Sequence, residues 1–330
     1  SPMSRGLGDV YKRQILSCFI VGGVFLLAFV TWESKAKRPL LDISVFKDRS
    51  VRSGSLSLLV QFTVAFGFFF VAVQFIAYVL GYGPLDTGLS FLPTAIGLFP
   101  ASLIAIPLTK RLGFRVTGLL GLCLLGVSLY VGAQFQSDSS FLDFALVAVI
   151  YGAGIGLASP PATEIIVSSL PFEQQGVASA LNDVLRELGA VIGIAIAGSM
   201  FNSGYRSSID SLQEFPQEIL ELAKESPAIA PQLASSLETS MDNFLYQITV
   251  SVAEGWSDSL WALLFVVVGG AVCFAIWAPG KKQQARAIES SRSGRTVLRY
   301  EEVATYIEIE GTRKKDKIRV SQRKLEGPWD

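Results

Sequence analysis

Residues 54–79 read GSLSLLVQFTVAFGFFFVAVQFIAYV, without a single Asp, Glu, Lys or Arg. A helix of that length covers the roughly 30 Å of hydrocarbon in a bilayer at about 1.5 Å rise per residue. Six further apolar blocks flank it: Ile15 to Trp32, Gly88 to Leu108, Val116 to Gln134, Phe141 to Val167, Val177 to Phe201 and Leu260 to Ala278, of which only Phe141 to Val167 and Val177 to Phe201 carry charged residues. Lipid cannot satisfy open backbone groups, and the blocks lack the short alternation of barrel strands, so each reads as a membrane-spanning helix. The chain is therefore expected to be an all-α membrane protein with seven spans.

Composition agrees. Half of the residues are hydrophobic and 17% are charged, against about 25% charged in soluble domains. A soluble chain would spread its polar residues through every element at helical or strand spacing; here they collect between the apolar blocks. The formal net charge is zero, so nothing overall points to nucleic acid. The chain has no histidine, which removes His-dependent triads, HExxH zinc sites and imidazole relays. Cys18, Cys123 and Cys273 stand in separate apolar blocks and read as small packed hydrophobes. No enzyme activity, cofactor or metal is expected. Residues 1–14, SPMSRGLGDVYKRQ, read as an adapter-like leader outside the fold.

Charge between the blocks sets the expected topology. Lys35, Lys37, Arg38, Lys47, Arg49 and Arg52 follow the first span, Lys110, Arg111 and Arg115 the third, and Lys281, Lys282 and Arg286 the seventh. By the positive-inside rule these segments are cytoplasmic. That makes 33–53 a cytoplasmic amphipathic loop and 279–330 a cytoplasmic basic tail, in which Tyr306 to Ile309 and Ile318 to Val320 could pair as a weak hairpin. The stretch 202–259 carries Asp210, Glu214, Glu218, Glu221, Glu225, Glu238, Asp242, Glu254 and Asp258 against Arg206 and Lys224, and is expected outside. Within it Leu233, Leu237, Met241, Leu245, Ile248 and Val252 recur at helical steps, predicting an amphipathic helix against the bundle or the interface.

Several motifs occur in an order that carries a resemblance. Residues 39–49, PLLDISVFKDR, precede the second span; 81–89, GYGPLDTGL, and Phe91-Leu92-Pro93 precede the third; 108–115, LTKRLGFR, link the third to the fourth. Residues 176–189, GVASALNDVLRELG, open the sixth. Together they resemble the PLLDLxLFxxR, GYSPLxAG, LADRxGxR and GxASALNxxxRxLGxxxG stretches of the fourteen-span drug:proton antiporters of the major facilitator superfamily. In the third of these, Lys110 stands where the family carries an acid, beside Arg111, Gly113 and Arg115. Phe75-Ile76-Ala77 replaces the Tyr-x-Gln frequent in the family.

The resemblance implies a two-bundle fold of which this chain holds one linker helix, 15–32, and the C-terminal six-helix bundle. Its partners would be the lipid bilayer, the missing N-terminal half, protons and a small hydrophobic or amphiphilic substrate exported by alternating access across the inner (plasma) membrane. A self-contained seven-span receptor is the alternative; a retinal protein would need a lysine within 260–278, which has none. A membrane-embedded hydrolase would need a histidine or a GxSxG elbow.

The residues themselves nominate transport or gating positions. Asn182, Arg186, Gly189 and Gly193 fall at i, i+4, i+7 and i+11, one helix face. A guanidinium at mid-bilayer costs about 3 kcal/mol on insertion scales and ordinarily turns inward to a partner; Asp183, Glu187 and Glu164 are the expected acids. Gln61 and Gln74, with Tyr78, are polar residues that either reach a cavity or bond between helices. Gly152, Gly154 and Gly156, followed by Pro160 and Pro161, read as a helix-packing surface or a hinge.

Overall fold

The computed structural model describes residues 14, 17–18, 20–25, 27–28, 31–32, 46–170, 174–212, 214–235 and 240–280. Within them six helical segments are long and apolar enough to span a membrane. They are α1 (Arg49–Tyr78), α2 with α3 (Pro84–Leu89 and Leu92–Leu112), α4 (Phe114–Gly132), α5 (Phe141–Ser169), α6 (Gln175–Asp210) and α9 (Met241–Trp277). Short α7 (Gln217–Ala223) and α8 (Ala230–Ala234) lie between α6 and α9. Of the first expected span, the described residues are helical, and Ile20, Val24, Phe25 and Leu27 are exposed; the rest of that span, and the basic tail from 281, lie outside the described residues.

Local chemistry sets several helix ends. Asp48 caps α1, its carboxylate accepting from Ser50 N–H at 2.6 Å and Val51 N–H at 3.3 Å. The helix therefore starts at Arg49, and the expected loop 33–53 gives its last residues to α1. Ser140 and Asp143 form a reciprocal capping box on α5. Gly113 alone joins α3 to α4, with φ 92°, a conformation open to glycine, and its N–H donates to Thr109 O at 2.8 Å.

Two expectations are corrected at the acidic end. α6 continues nine residues past the expected stop at Phe201, to Asp210, and the amphipathic segment from Met241 onward is the first part of α9 rather than a separate helix. Both helices outrun the bilayer: 36 and 37 residues correspond to about 55 Å. Their polar ends stay helical because they pack on each other, with Gly204 against the Asp258 carboxylate and Phe201 O only 2.7 Å from where a Gly255 Cβ would stand. Between them Phe215 packs edge-on to Phe244, Tyr205 Oη donates to Ala223 O at 2.9 Å, and Lys224 ion-pairs with Asp210 and Glu221. Leu237 lies outside the described residues. The cysteines are a third correction: Cys18 and Cys123 are exposed and Cys273 is half-buried, because an apolar surface meets no penalty where lipid is the solvent.

The bundle is organised by glycine contacts. α1 and α6 run parallel, Gly189 against Leu59 O and Phe62 Cβ, and Gly193 against Thr63 O. α3 and α5 also run parallel, Gly97 against Val149 O and Gly152 against Thr94 O. α4 runs antiparallel to α5 through Gly121 and Ala158, and α9 antiparallel to α1 through Gly270 and Val60. Exchanging α1, α3, α4 for α5, α6, α9 maps these four contacts onto one another with the chain direction inverted, although α6 packs closely on α9 where α3 barely touches α4. Such a relation is the mark of an internal inverted repeat.

An aromatic core lies toward the acidic end, where Phe68 stacks on Tyr151 at 4.2 Å and Trp256 lies 4.7 Å from Phe75. Trp256 Nε1 donates to Gly132 O at 2.7 Å and Ser257 Oγ to Ala133 O at 2.8 Å, so α9 hydrogen-bonds to carbonyls at the end of α4.

Gly193→Leu drives a side chain into the Thr63 carbonyl and is expected to cost about 3 kcal/mol or more by overpacking; Gly176→Ala, with nothing within 4 Å, should be neutral. Thermal unfolding in detergent separates the two. At the acidic end the Asp210 hydrogen bond, then that of Glu221, raises the Lys224 pKa. Its contribution to stability is complete below the unfolded value of about 10.4 and lost as pH rises through the higher folded value. Melting temperatures of wild type and Lys224→Met should differ steadily from neutral pH to about pH 10 and converge above it.

Candidate functional site: a polar seam between α1, α5 and α6

The seam is built on α1, whose residues alternate between two neighbours. Ser57 and Gln61 turn toward α5, while Leu59, Phe62 and Thr63 turn toward α6. Gln61 is wholly buried. Its Nε2 donates to Ser57 Oγ at 2.7 Å and its Oε1 accepts from Ser159 Oγ at 2.6 Å. Gln61 thus joins α1 to α5 as an interhelical hydrogen-bonding residue. Gln74 and Tyr78 are half-buried farther along α1.

Ser159 sits directly before Pro160 and Pro161, and α5 runs unbroken through both. The two prolines lack N–H groups, so the carbonyls of Gly156 and Leu157 lose their intrahelical donors. One and two turns earlier, Gly156 and Gly152 face α3, with Leu98 O 2.5 Å from where a Gly156 Cβ would stand. Gly154 faces α4 instead, against Leu125 and Gly121 O. These glycines bring α5 into backbone contact with a helix on either side.

On the α6 side, Asn182 is 5% exposed. Its Nδ2 donates to Ala178 O at 2.9 Å, while its Oδ1 is buried without a partner. One turn on, the Arg186 guanidinium lies over the Phe62 ring, 5.1 Å from its centroid, and its Nε is buried without a hydrogen bond. Asp183, Glu187 and Glu164, the acids expected to neutralise it, are all exposed. Among the described residues Arg186 forms no ion pair. The expected pairing is corrected: the ring of Phe62, not a carboxylate, is what the cation rests on, a cation–π contact worth about 0.5–2 kcal/mol. Nothing in the spacing of α6 marks Phe62, which enters only because Gly189 lets α1 approach.

A second arginine behaves alike. Arg52, in the first turn of α1, lies over the Trp277 ring at 4.7 Å, and its Nε is also buried without a hydrogen bond. Trp277 ends α9, so the cation also meets the negative end of that helix dipole. By its place in the sequence Arg52 is only one of the bases that follow the first span. Lys110, Arg111 and Arg115 are exposed around the Gly113 turn, away from the seam.

The chain is 30% identical over 229 residues to the multidrug efflux pump LfrA of Mycolicibacterium smegmatis, covering 69% of this chain and 45% of that protein. It is 30% identical over 183 residues to the multidrug resistance protein Stp of Mycobacterium tuberculosis, covering 55% and 34%. With the methyl viologen resistance protein SmvA of Salmonella typhimurium it shares 28% over 225 residues, 68% and 45% of the two chains. It thus spans less than half the length of each of these relatives. The Major Facilitator Superfamily profile matches residues 15–194, more than half of the chain, and the chain belongs to that superfamily.

Proposed function

We propose that this chain is the C-terminal part of a drug:proton antiporter that exports hydrophobic or amphiphilic compounds by alternating access. The observation that carries the reading is its similarity to proteins named as multidrug efflux and resistance proteins, supported by the inverted-repeat bundle. In this reading the basic end faces the cytoplasm of the inner membrane, and the C-terminus lies there too. A second bundle, contributed by an N-terminal half, completes the cavity. α3 and α6 expose apolar rows, Ile96, Phe99 and Leu103 on one, Val184, Leu188 and Val191 on the other, as surfaces that meet lipid or that bundle would.

The seam divides by role under this proposal. Gln61 and the glycines Gly152, Gly154, Gly156, Gly189 and Gly193 hold helices together, with Pro160 and Pro161 giving α5 a place to bend. Asn182 and Arg186 face a ligand or a conformational partner, flanked by Asp183, Glu187 and Glu164. The turn of Lys110, Arg111, Gly113 and Arg115 links α3 and α4 so that they move as one unit.

In everted vesicles the intact transporter should accumulate a lipophilic fluorescent dye when the interior is acid, and release it when a protonophore collapses the gradient. The 330-residue chain alone should not. Dye accumulation by the chain alone would sink the half-transporter account, and accumulation indifferent to the gradient would sink antiport. In the intact protein Gln61→Leu should cost about 1 kcal/mol of stability while efflux persists, whereas Arg186→Gln should keep its melting temperature and lose efflux. Reversal of these two outcomes would exchange the assigned roles.

A further inference from the structure

The seam holds polar groups that the fold leaves unanswered, and they lie together. Asn182 Oδ1, an acceptor, and Arg186 Nε, a donor, are buried without partners one helical turn apart on α6. From Gln175 to Arg186 is roughly 16 Å along the helix, about half of the hydrocarbon thickness. A buried donor or acceptor left unpaired costs about 1–3 kcal/mol, more for a charged group, so such atoms are kept where something else answers them. Beside them stands an aromatic ledge: Phe62 beneath the guanidinium and Phe66 next to it, ring centroids 6.3 Å apart, with Phe66 exposed.

We infer that this corner of α1 and α6 is a binding subsite for an aromatic carboxylate: an amphiphile whose anionic group takes the Arg186 guanidinium and whose ring lies on Phe66 and Phe62. A guanidinium presents its N–H donors in the fork that a carboxylate fits. The buried Asn182 Oδ1 accepts an N–H or O–H carried by the same ligand. The subsite thus selects for a negative charge, in a low-dielectric setting where one unpaired charge dominates recognition. Among the described residues the charged groups to weigh are four. Asp183 and Glu187 flank Arg186 on α6, exposed and unpaired with it; Glu164 is exposed on α5; Arg52 on α1 is engaged with Trp277. The two acids of α6 oppose an anion from the rim, so they set its affinity without contacting the ring. This inference rests on the transport reading for its purpose, since it names a substrate class for the same site.

Binding is read directly, without transport, on the purified chain in neutral phosphatidylcholine nanodiscs, by calorimetric titration with naphthoate, naphthamide and naphthyltrimethylammonium. Naphthoate should bind more tightly than the neutral or the cationic compound. Arg186→Gln should weaken naphthoate roughly 10- to 100-fold, the worth of a charge-assisted pair, and leave naphthamide unchanged; Arg186→Lys should recover part of the loss. Asp183→Asn with Glu187→Gln should tighten naphthoate severalfold, which keeps the inference open to test should Arg186→Gln fail to fold. Equal or tighter binding of the cation, weaker naphthoate binding in the acid-neutralised variant, or no naphthoate binding at all would overturn it. Failure of gradient-driven dye movement in the intact transporter would instead overturn the transport reading and leave this binding order standing.

Discussion

The carbonyl oxygens of Thr63 and Thr94 occupy the places where side chains of Gly193 and Gly152 would begin. Everything else in the bundle depends on that approach. Lipid tails are as apolar as leucine, so no hydrophobic drive presses helices together within a membrane; dispersion contact and polar bonds must do it. Glycine lets backbones close to a separation at which both become effective. Two parallel pairs, α1 with α6 and α3 with α5, are built this way, and α4 and α9 complete the set by antiparallel contact.

Close approach then decides which polar side chains meet. Because Gly54 lies against Ile165 and Ala162 O, α1 sits near enough to α5 for Gln61 to reach Ser159. Because Gly189 lies against Leu59 O, α6 sits near enough to α1 for Arg186 to rest on Phe62. The same approach leaves Asn182 Oδ1 and the Arg186 Nε without hydrogen bonds. The seam is thus answered on its α5 side and unanswered on its α6 side. That asymmetry is what the proposed binding subsite rests on.

At the acidic end the governing interactions change character. Beyond the hydrocarbon layer, water competes for polar groups, and the projecting parts of α6 and α9 are held by a small soluble-type core. Phe215, Leu220 and Phe244 are buried there, Tyr205 bonds to the α7 segment, and Lys224 draws Asp210 and Glu221 together. One helix thus passes from a region organised by glycine to one organised by apolar burial and charge.

The amino-acid sequence determined what depends on local chemistry alone. Apolar blocks mark the six described spans, since crossing a bilayer demands length and lack of charge from contiguous residues. The Gly113 turn, the glycine-rich stretch of α5 and the i, i+4 relation of Asn182 to Arg186 were equally legible, being properties of near neighbours in the chain. The ends of α6 and α9 were not: their outer residues are polar enough to read as loop, and only their packing on each other keeps them helical. Nor was the partner of Arg186. A charge near mid-span called for an acid, and Asp183, Glu187 and Glu164 were within plausible reach, but tertiary structure turned all of them outward and set the cation on Phe62. Which groups meet across an interface depends on helix rotation and separation, and here those are set by where one backbone admits another.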